Sequence, residues 1–204
     1  MKRCRLLKKD FEQLCSALIA DPPEGCTSVN LYCQDESRFG LFTRAGKGLT
    51  ARGVKPVCPF QQVFQYTYLF GAYSPVDGEH FELELPCCSA DTFQIFLDEF
   101  VTHRPKELKI LLLDNGAFHK AKCLRWPSHV RPLFLPPYSP ELNPAEKIWW
   151  RIKRAFVNKT FPSLDELSDF IDLQIQALTT DEVISICRFD YIKQANSLWP
   201  ILNV

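Results

Sequence analysis

The segment Leu108-Lys109-Ile110-Leu111-Leu112-Leu113 constrains the fold more than any other. It is apolar on both faces, which suits a central parallel strand covered on each side by helices. Its neighbours fit that role. Residues 27–34 alternate, with Val29, Leu31 and Cys33 on one face and Asn30, Tyr32 and Gln34 on the other, as in a half-buried strand. A short strand is expected near 40–43, then a Gly- and Lys/Arg-rich loop over 44–56. Residues 62–73 are β-rich, and Ser74-Pro75-Val76-Asp77-Gly78 turns them into the alternating His80–Leu85 run as a hairpin.

Helices alternate with these strands. Leu7, Phe11, Leu14, Cys15 and Leu18 mark an amphipathic helix over about 5–20, closed by Asp21-Pro22-Pro23-Glu24-Gly25. Phe93, Phe96, Leu97, Phe100 and Val101 mark another from Ser89. A short helix over about 117–126 precedes a strand at 131–135. Asn143 suits an N-cap and Pro144 a first turn, for a helix running to about 157. Ser163-Leu164-Asp165-Glu166 has capping-box spacing before a further helix, with a helical tail to Val204. An antiparallel meander followed by crossovers predicts an α/β fold, a mixed sheet with helices on its faces.

The 204 residues suit one domain, divided as a helix over 1–22, a core over 27–160 and C-terminal helices over 161–204. A hydrophobic fraction of 46% and a charged fraction of 24% are those of a globular chain, and no run approaches a membrane span. The start is basic, but the apolar part that follows is broken by Asp10, Glu12 and Gln13, which does not fit a signal peptide, and the chain reads as cytosolic. Nine cysteines, an odd number without a CxxC pair, read as reduced thiols that mostly act as small core residues. Net charge is zero but segregated, at +4 over 1–60, −6 over 61–114, +7 over 115–160 and −5 over 161–204. The basic blocks can hold a polyanion, and they can equally be solvated faces.

Three acids stand out by context. Asp35 closes the first strand, Asp114 closes the apolar one, and Glu146 opens a helix after Leu135-Pro136-Pro137-Tyr138-Ser139-Pro140. Ligand sites in such sheets lie at the carboxyl ends of strands, so the three can converge. A converged trio suits hard divalent cations, which catalyse phosphodiester chemistry in pairs. Asp35 would bridge two ions, and Asp114 and Glu146 would each help fix one. Each acid also has a plainer reading: a strand-ending turn at Asp35, an Asp-Asn-Gly turn at Asp114, a cap for Asn143 at Glu146. Trp149, Trp150 and Lys153 share the helix face of Glu146, where they can track a nucleic-acid backbone or join the core. His119 can contact phosphate, orient water or be structural. Arg38, Arg52 and Lys55 are further candidates for phosphate contact, with solvated loops as the alternative.

These motifs resemble a known family. Gln34–Gly40, Thr50–Pro56, Leu111–Lys120 and Leu135–Arg154 are similar to the DDE transposases of the mariner superfamily, in its bacterial insertion-sequence branch, over about residues 27–160. The Pro-Pro-Tyr-Ser-Pro-Glu-Leu-Asn-Pro-Ala-Glu block is the most specific element. The spacing from Asp114 to Glu146 is 32, slightly short for the family, which implies a trimmed connection. The resemblance implies a ribonuclease-H-like five-stranded mixed sheet. It also implies Mg²⁺ dependence, with Mn²⁺ as a substitute, and Asp35, Asp114 and Glu146 as the triad. It implies cleavage at transposon ends to leave 3′-hydroxyls, their transfer into target DNA at TA, a homodimer on DNA, and action at the nucleoid. Family members carry helix-turn-helix modules ahead of the catalytic domain, while only one short helix precedes the first strand here. A helix-turn-helix half, fused by frameshift or separate, is therefore the expected partner. A structure-selective nuclease of the same fold and a non-catalytic remnant or accessory DNA-binding protein are the competing readings.

Overall fold

The computed structural model describes the backbone of residues 2–199, and the side chains of all of these except 2–9 and 196. The expected tail at 200–204 lies outside the described residues. Helix α1 (Lys2–Ile19) leads into strand β1 (Ser28–Gly40). An irregular loop then reaches the hairpin of β2 (Tyr66–Tyr73) and β3 (His80–Leu85). Helix α2 (Ala90–Thr102) crosses to β4 (Glu107–Leu113), and β5 (Val130–Phe134) follows. Four helices close the described chain, α3 (Ala145–Arg154), α4 (Leu164–Gln176), α5 (Thr180–Cys187) and α6 (Asp190–Gln194).

The strands form one mixed sheet in the order β3-β2-β1-β4-β5. The β1–β2 and β2–β3 pairs are antiparallel, and β1–β4 and β4–β5 are parallel. Every residue of β4 is buried, as a run apolar on both faces requires. Pro132 lies in the edge strand β5, where its missing N–H costs no inner ladder bond. One core layer joins Phe11, Leu31, Leu108, Ile110, Ile148 and Ile171; the other joins Tyr32, Phe70, Phe93, Phe96 and Leu111. Ser163 caps α4 through its side chain, as its spacing predicts, and Ser89 caps α2 in the same way, in a capping box with Thr92.

Several expectations need correction. Strand β1 does not end at Asp35 but runs five residues further, to Gly40, because Cys33–Gly40 pair with β2 after the pairing with β4 stops. That extension replaces a strand-ending turn at Glu36-Ser37-Arg38, and no separate strand forms at 40–43. Strand β1 is also not half-buried, since helices cover both faces and residues 29–34 are all buried. The segment 117–126 holds only a 3₁₀ turn, Phe118–Lys120. His119 bonds Asp114, Asn115 donates to the Leu135 carbonyl and Lys120 donates to the Asn115 side chain, and these bonds fold it tightly onto the end of β4, where a longer helix could not keep them. In α1, Phe11, Cys15 and Ile19 form the buried stripe, and Leu14 is exposed.

Candidate active site

Asp35 reaches its position through β-sheet register. Cys33 pairs with Leu112, so continuing the parallel register sets Asp35 level with Asp114, just past the end of β4. Alternation along β1 puts Asp35 on the face of Leu31 and Cys33, beneath α3, and Glu36 on the face of α2. The third acid is brought in by Asn143. Its buried side chain donates from Nδ2 to the Gln34 carbonyl at 2.8 Å and accepts from the Ala145 N–H at 3.2 Å. The first turn of α3 is thereby fastened to β1 one residue before Asp35. Asn143 was expected as the N-cap, but Pro144 occupies that position without a side-chain bond. Asp35, Asp114 and Glu146 line one cleft of about 420 Å³, walled also by Asn115, Pro137 and Tyr138.

The electrostatics of the three acids differ. Burial pushes the Asp35 carboxyl up to about 8, and the charges of Glu36 and Glu146 push it the same way. The Glu36 N–H and the Trp149 indole, which donates from Nε1 to Asp35 Oδ2 at 2.9 Å, pull against that rise. Asp114 is held below the ordinary carboxylate range by its bond with His119 and by the Gly116 N–H, despite partial burial. Both bonds fall on Oδ1, at 2.8 Å and 2.7 Å.

His119 is not free for phosphate. It is 1% exposed, and its Nε2 lies 3.0 Å from Glu36 Oε1 while Nδ1 faces Asp114. Burial lowers its pKa, but the bonds to Asp114 and Glu36 outweigh burial and hold the imidazole up at about 9. It ties β1 to the loop after β4 and fixes the Asp114 rotamer.

The other sequence candidates divide. Trp149 is buried, and Trp150 is exposed under the Arg154 guanidinium, 4.7 Å from its ring. Lys153 and Arg38 line a second, basic pocket beside the cleft with Arg44 and Lys159. Burial and the charge of Arg44 lower the Lys153 pKa, while Glu146 and Asp35 raise it, so this lysine feels both sites. Arg52 and Lys55 are exposed in the irregular loop and line neither.

Sequence reasoning missed Glu36, Gly71, Arg44 and Lys159. Gly71 pairs with Asp35 across β1–β2, and a Cβ there would lie 2.8 Å from the Trp149 ring and 2.5 Å from the Tyr73 hydroxyl. Its missing side chain is the space that lets the indole reach Asp35. A glycine in a strand pattern was the available signal.

A family model described as DDE superfamily endonuclease matches residues 30–168. The chain belongs to the DDE superfamily endonucleases. A bacterial relative, the uncharacterized protein y4pE/y4sA of Sinorhizobium fredii (strain NBRC 101917 / NGR234), is 33% identical over 140 residues, 68% of this chain and 93% of that one. Among solved structures, the Mos1 strand transfer complex matches with a TM-score of 0.63 at 16% identity, over 99% of this DDE-family chain and 61% of that chain. The isolated catalytic domain of Mos1 mariner transposase matches with a TM-score of 0.57 at 16% identity, over 99% and 92%. The fold is thus the expected ribonuclease-H-like one, and the DDE-family chain spans about three fifths of the chain in the Mos1 strand transfer complex. No helix among the described residues is long and apolar enough to cross a membrane.

The hard oxygen donors of the trio suit a divalent cation, and the like-charge strain on Asp35 is of the kind a cation relieves. Among the described residues, no three His, Cys, Asp or Glu side chains are gathered tightly enough to hold an ion as they stand.

Proposed function

We propose that this chain is the catalytic unit of a transposase, cutting DNA at transposon ends and joining the freed 3′-hydroxyl to target DNA. The observation that carries this reading is the shared cleft of Asp35, Asp114 and Glu146, drawn from three elements of a DDE-family chain. The three carboxylates would hold Mg²⁺, or Mn²⁺ in its place, after rotating inward. When bound, such ions activate an attacking oxygen and stabilise the leaving one in an in-line displacement. Solved Mos1 paired-end complexes with Mn and with Mg accord with that choice.

The chain's own residues act around that centre. The Trp149 indole orients Asp35 and favours its ionised form. His119 holds Asp114 through Oδ1 at the wall of the cleft. Asn143 keeps Glu146 against β1. The basic pocket beside the cleft draws in the DNA backbone. Base-edge reading falls to a helix-turn-helix partner, fused or separate, and a dimer on DNA would bring two ends together.

The test is cleavage and strand transfer on a labelled duplex carrying a terminal inverted repeat, with the helix-turn-helix partner supplied. Asp35→Asn, Asp114→Asn and Glu146→Gln should each reduce cleavage more than about 100-fold in Mg²⁺ while thermal melting stays close to wild type. Cleavage without joined product would favour the nuclease reading. Full cleavage by Glu146→Gln would return that residue to a helix-capping role.

A further inference from the structure

The basic pocket next to the carboxylate cleft has a composition that a solvated face does not need. Arg38, Arg44, Lys153 and Lys159 converge on it, with Phe42 and Phe161 among its walls. Among the described residues none of the four cations has a carboxylate within ion-pair distance. Three rest on aromatic rings instead, Arg38 on Tyr66, Lys153 on Phe39 and Lys159 on Phe170, at 5.2, 5.4 and 5.1 Å. Glu166 and Asp169 border a neighbouring hollow that Lys159 also lines, without pairing with it.

The pocket is also built, not incidental. The Arg44 carbonyl accepts from the Asn158 N–H at 2.9 Å, and the Asn158 side chain accepts from the Gly46 N–H at 2.9 Å. Arg44 and Val157 form a parallel bridge. A Cβ on Gly46 would meet Val157 at 2.1 Å, so glycine is what lets the loop lie against the segment after α3. These contacts hold Arg44 opposite Lys153 and Lys159.

Its place along both elements is set by residue count. Arg38 is three residues beyond Asp35 on β1, about 10 Å at ~3.3 Å per residue. Lys153 is seven residues beyond Glu146 on α3, about 10 Å at ~1.5 Å per residue. A DNA strand advances ~3.4 Å per phosphate, so the pocket lies within about three nucleotides of the carboxylates. Its volume of about 210 Å³ equals that of roughly seven waters at ~30 Å³ each, which exceeds the need of a lone ion.

We infer that this pocket seats an unstacked nucleotide of the DNA strand leaving the cleft, its phosphate on Arg44 and Lys159 and its base or sugar on Phe42. The inference rests on the proposed DNA substrate. Aromatic walls with cations are the means by which proteins hold single strands without reading sequence.

The test is fluorescence anisotropy of the purified chain in EDTA over a salt series, with a scrambled labelled oligonucleotide offered single-stranded and as a duplex. Arg44→Gln and Lys159→Gln should each lower the log–log salt slope on the single strand by about 0.7, and Arg44→Lys should restore it. Phe42→Ala should weaken single-strand binding about 5- to 100-fold and leave duplex binding unchanged. Lys106→Gln, an exposed lysine at the far end of β4, should change neither. All these side chains are exposed, and thermal melts check that each variant folds. Binding by the wild type with unchanged slopes in Arg44→Gln and Lys159→Gln overturns the pocket alone. Equal loss on both DNA forms in Phe42→Ala overturns the unstacked nucleotide in favour of a duplex backbone. Absence of DNA binding by the wild type overturns the pocket and the DNA reading together.

Discussion

Lys109→Met should stabilise this protein at neutral pH, although it removes a charge and a hydrogen bond. Lys109 sits in β4, the most buried strand, with a fully buried side chain. Burial drives its pKa down from 10.5 to about 8, more than the nearby Glu107 charge can hold it up. A folded pKa below the unfolded one means the unfolded chain binds more protons between pH 8 and 10.5, so stability rises across that window. Below pH 8 the full penalty is present. The difference of 2.5 units corresponds to about 3 kcal/mol at 1.36 kcal/mol per unit. Against this, the ammonium donates to the Arg104 carbonyl at 2.8 Å, worth about 2 kcal/mol for a charged donor. That carbonyl keeps a second donor, the Glu107 N–H at 3.1 Å, so methionine leaves no orphan acceptor. The net gain at pH 7 is about 1 kcal/mol, or a melting point raised by about 2–4 °C for a chain of this size. Urea unfolding of wild type and variant from about pH 6.5 to 10.5 measures it. The difference curve should be flat below pH 8 and fall to the variant's disadvantage by about pH 10.5. His119, whose folded pKa is raised to about 9, contributes stability that is complete below its unfolded 6.5 and lost by about 9, and it cancels in the difference. A variant less stable at pH 7, or a difference without slope between 8 and 10.5, would refute the reasoning.

Other outcomes follow from the site. His119→Asn should slow cleavage about 10- to 100-fold, as loss of a group that orients a ligand does, with the free Asp114 rotamer visible as weaker metal affinity in a Mg²⁺ titration. Gly71→Ala should cost about 1–3 kcal/mol in urea unfolding and shift Trp149 fluorescence, because the new methyl displaces the indole from Asp35. The purified chain alone should bind inverted-repeat and scrambled DNA about equally in a competition assay, with affinity falling steeply with salt. A strong, salt-resistant preference for the repeat would show that the helix-turn-helix partner is not required.

Local sequence determined much of the architecture. Ser89 and Ser163 each mark a helix start, because a cap is made within four residues and needs no distant partner. The Leu108–Leu113 run implied helices on both faces of its strand, because apolar surface on alternate sides must be covered twice. Asp114 and Glu146 stood out for the same reason, just past the end of β4 and in the first turn of α3, whereas Asp35 lies within β1, where only the alternating pattern stops. What only the tertiary structure decided was pairing. Strand β1 passes Asp35 because β2 supplies bonds that β4 no longer can, and local alternation carries no sign of which neighbour comes next. Residues 117–126 hold only a 3₁₀ turn because His119 bonds Glu36 on β1 and Asn115 bonds the Leu135 carbonyl after β5, contacts that outweigh helix propensity. Arg44 and Lys159 lie 115 positions apart, and only the clip at Asn158 makes them neighbours. The raised pKa of Asp35 likewise has little local signature. Glu36 beside it was visible, but the burial beneath α3 and the Glu146 charge come from residues more than a hundred positions away.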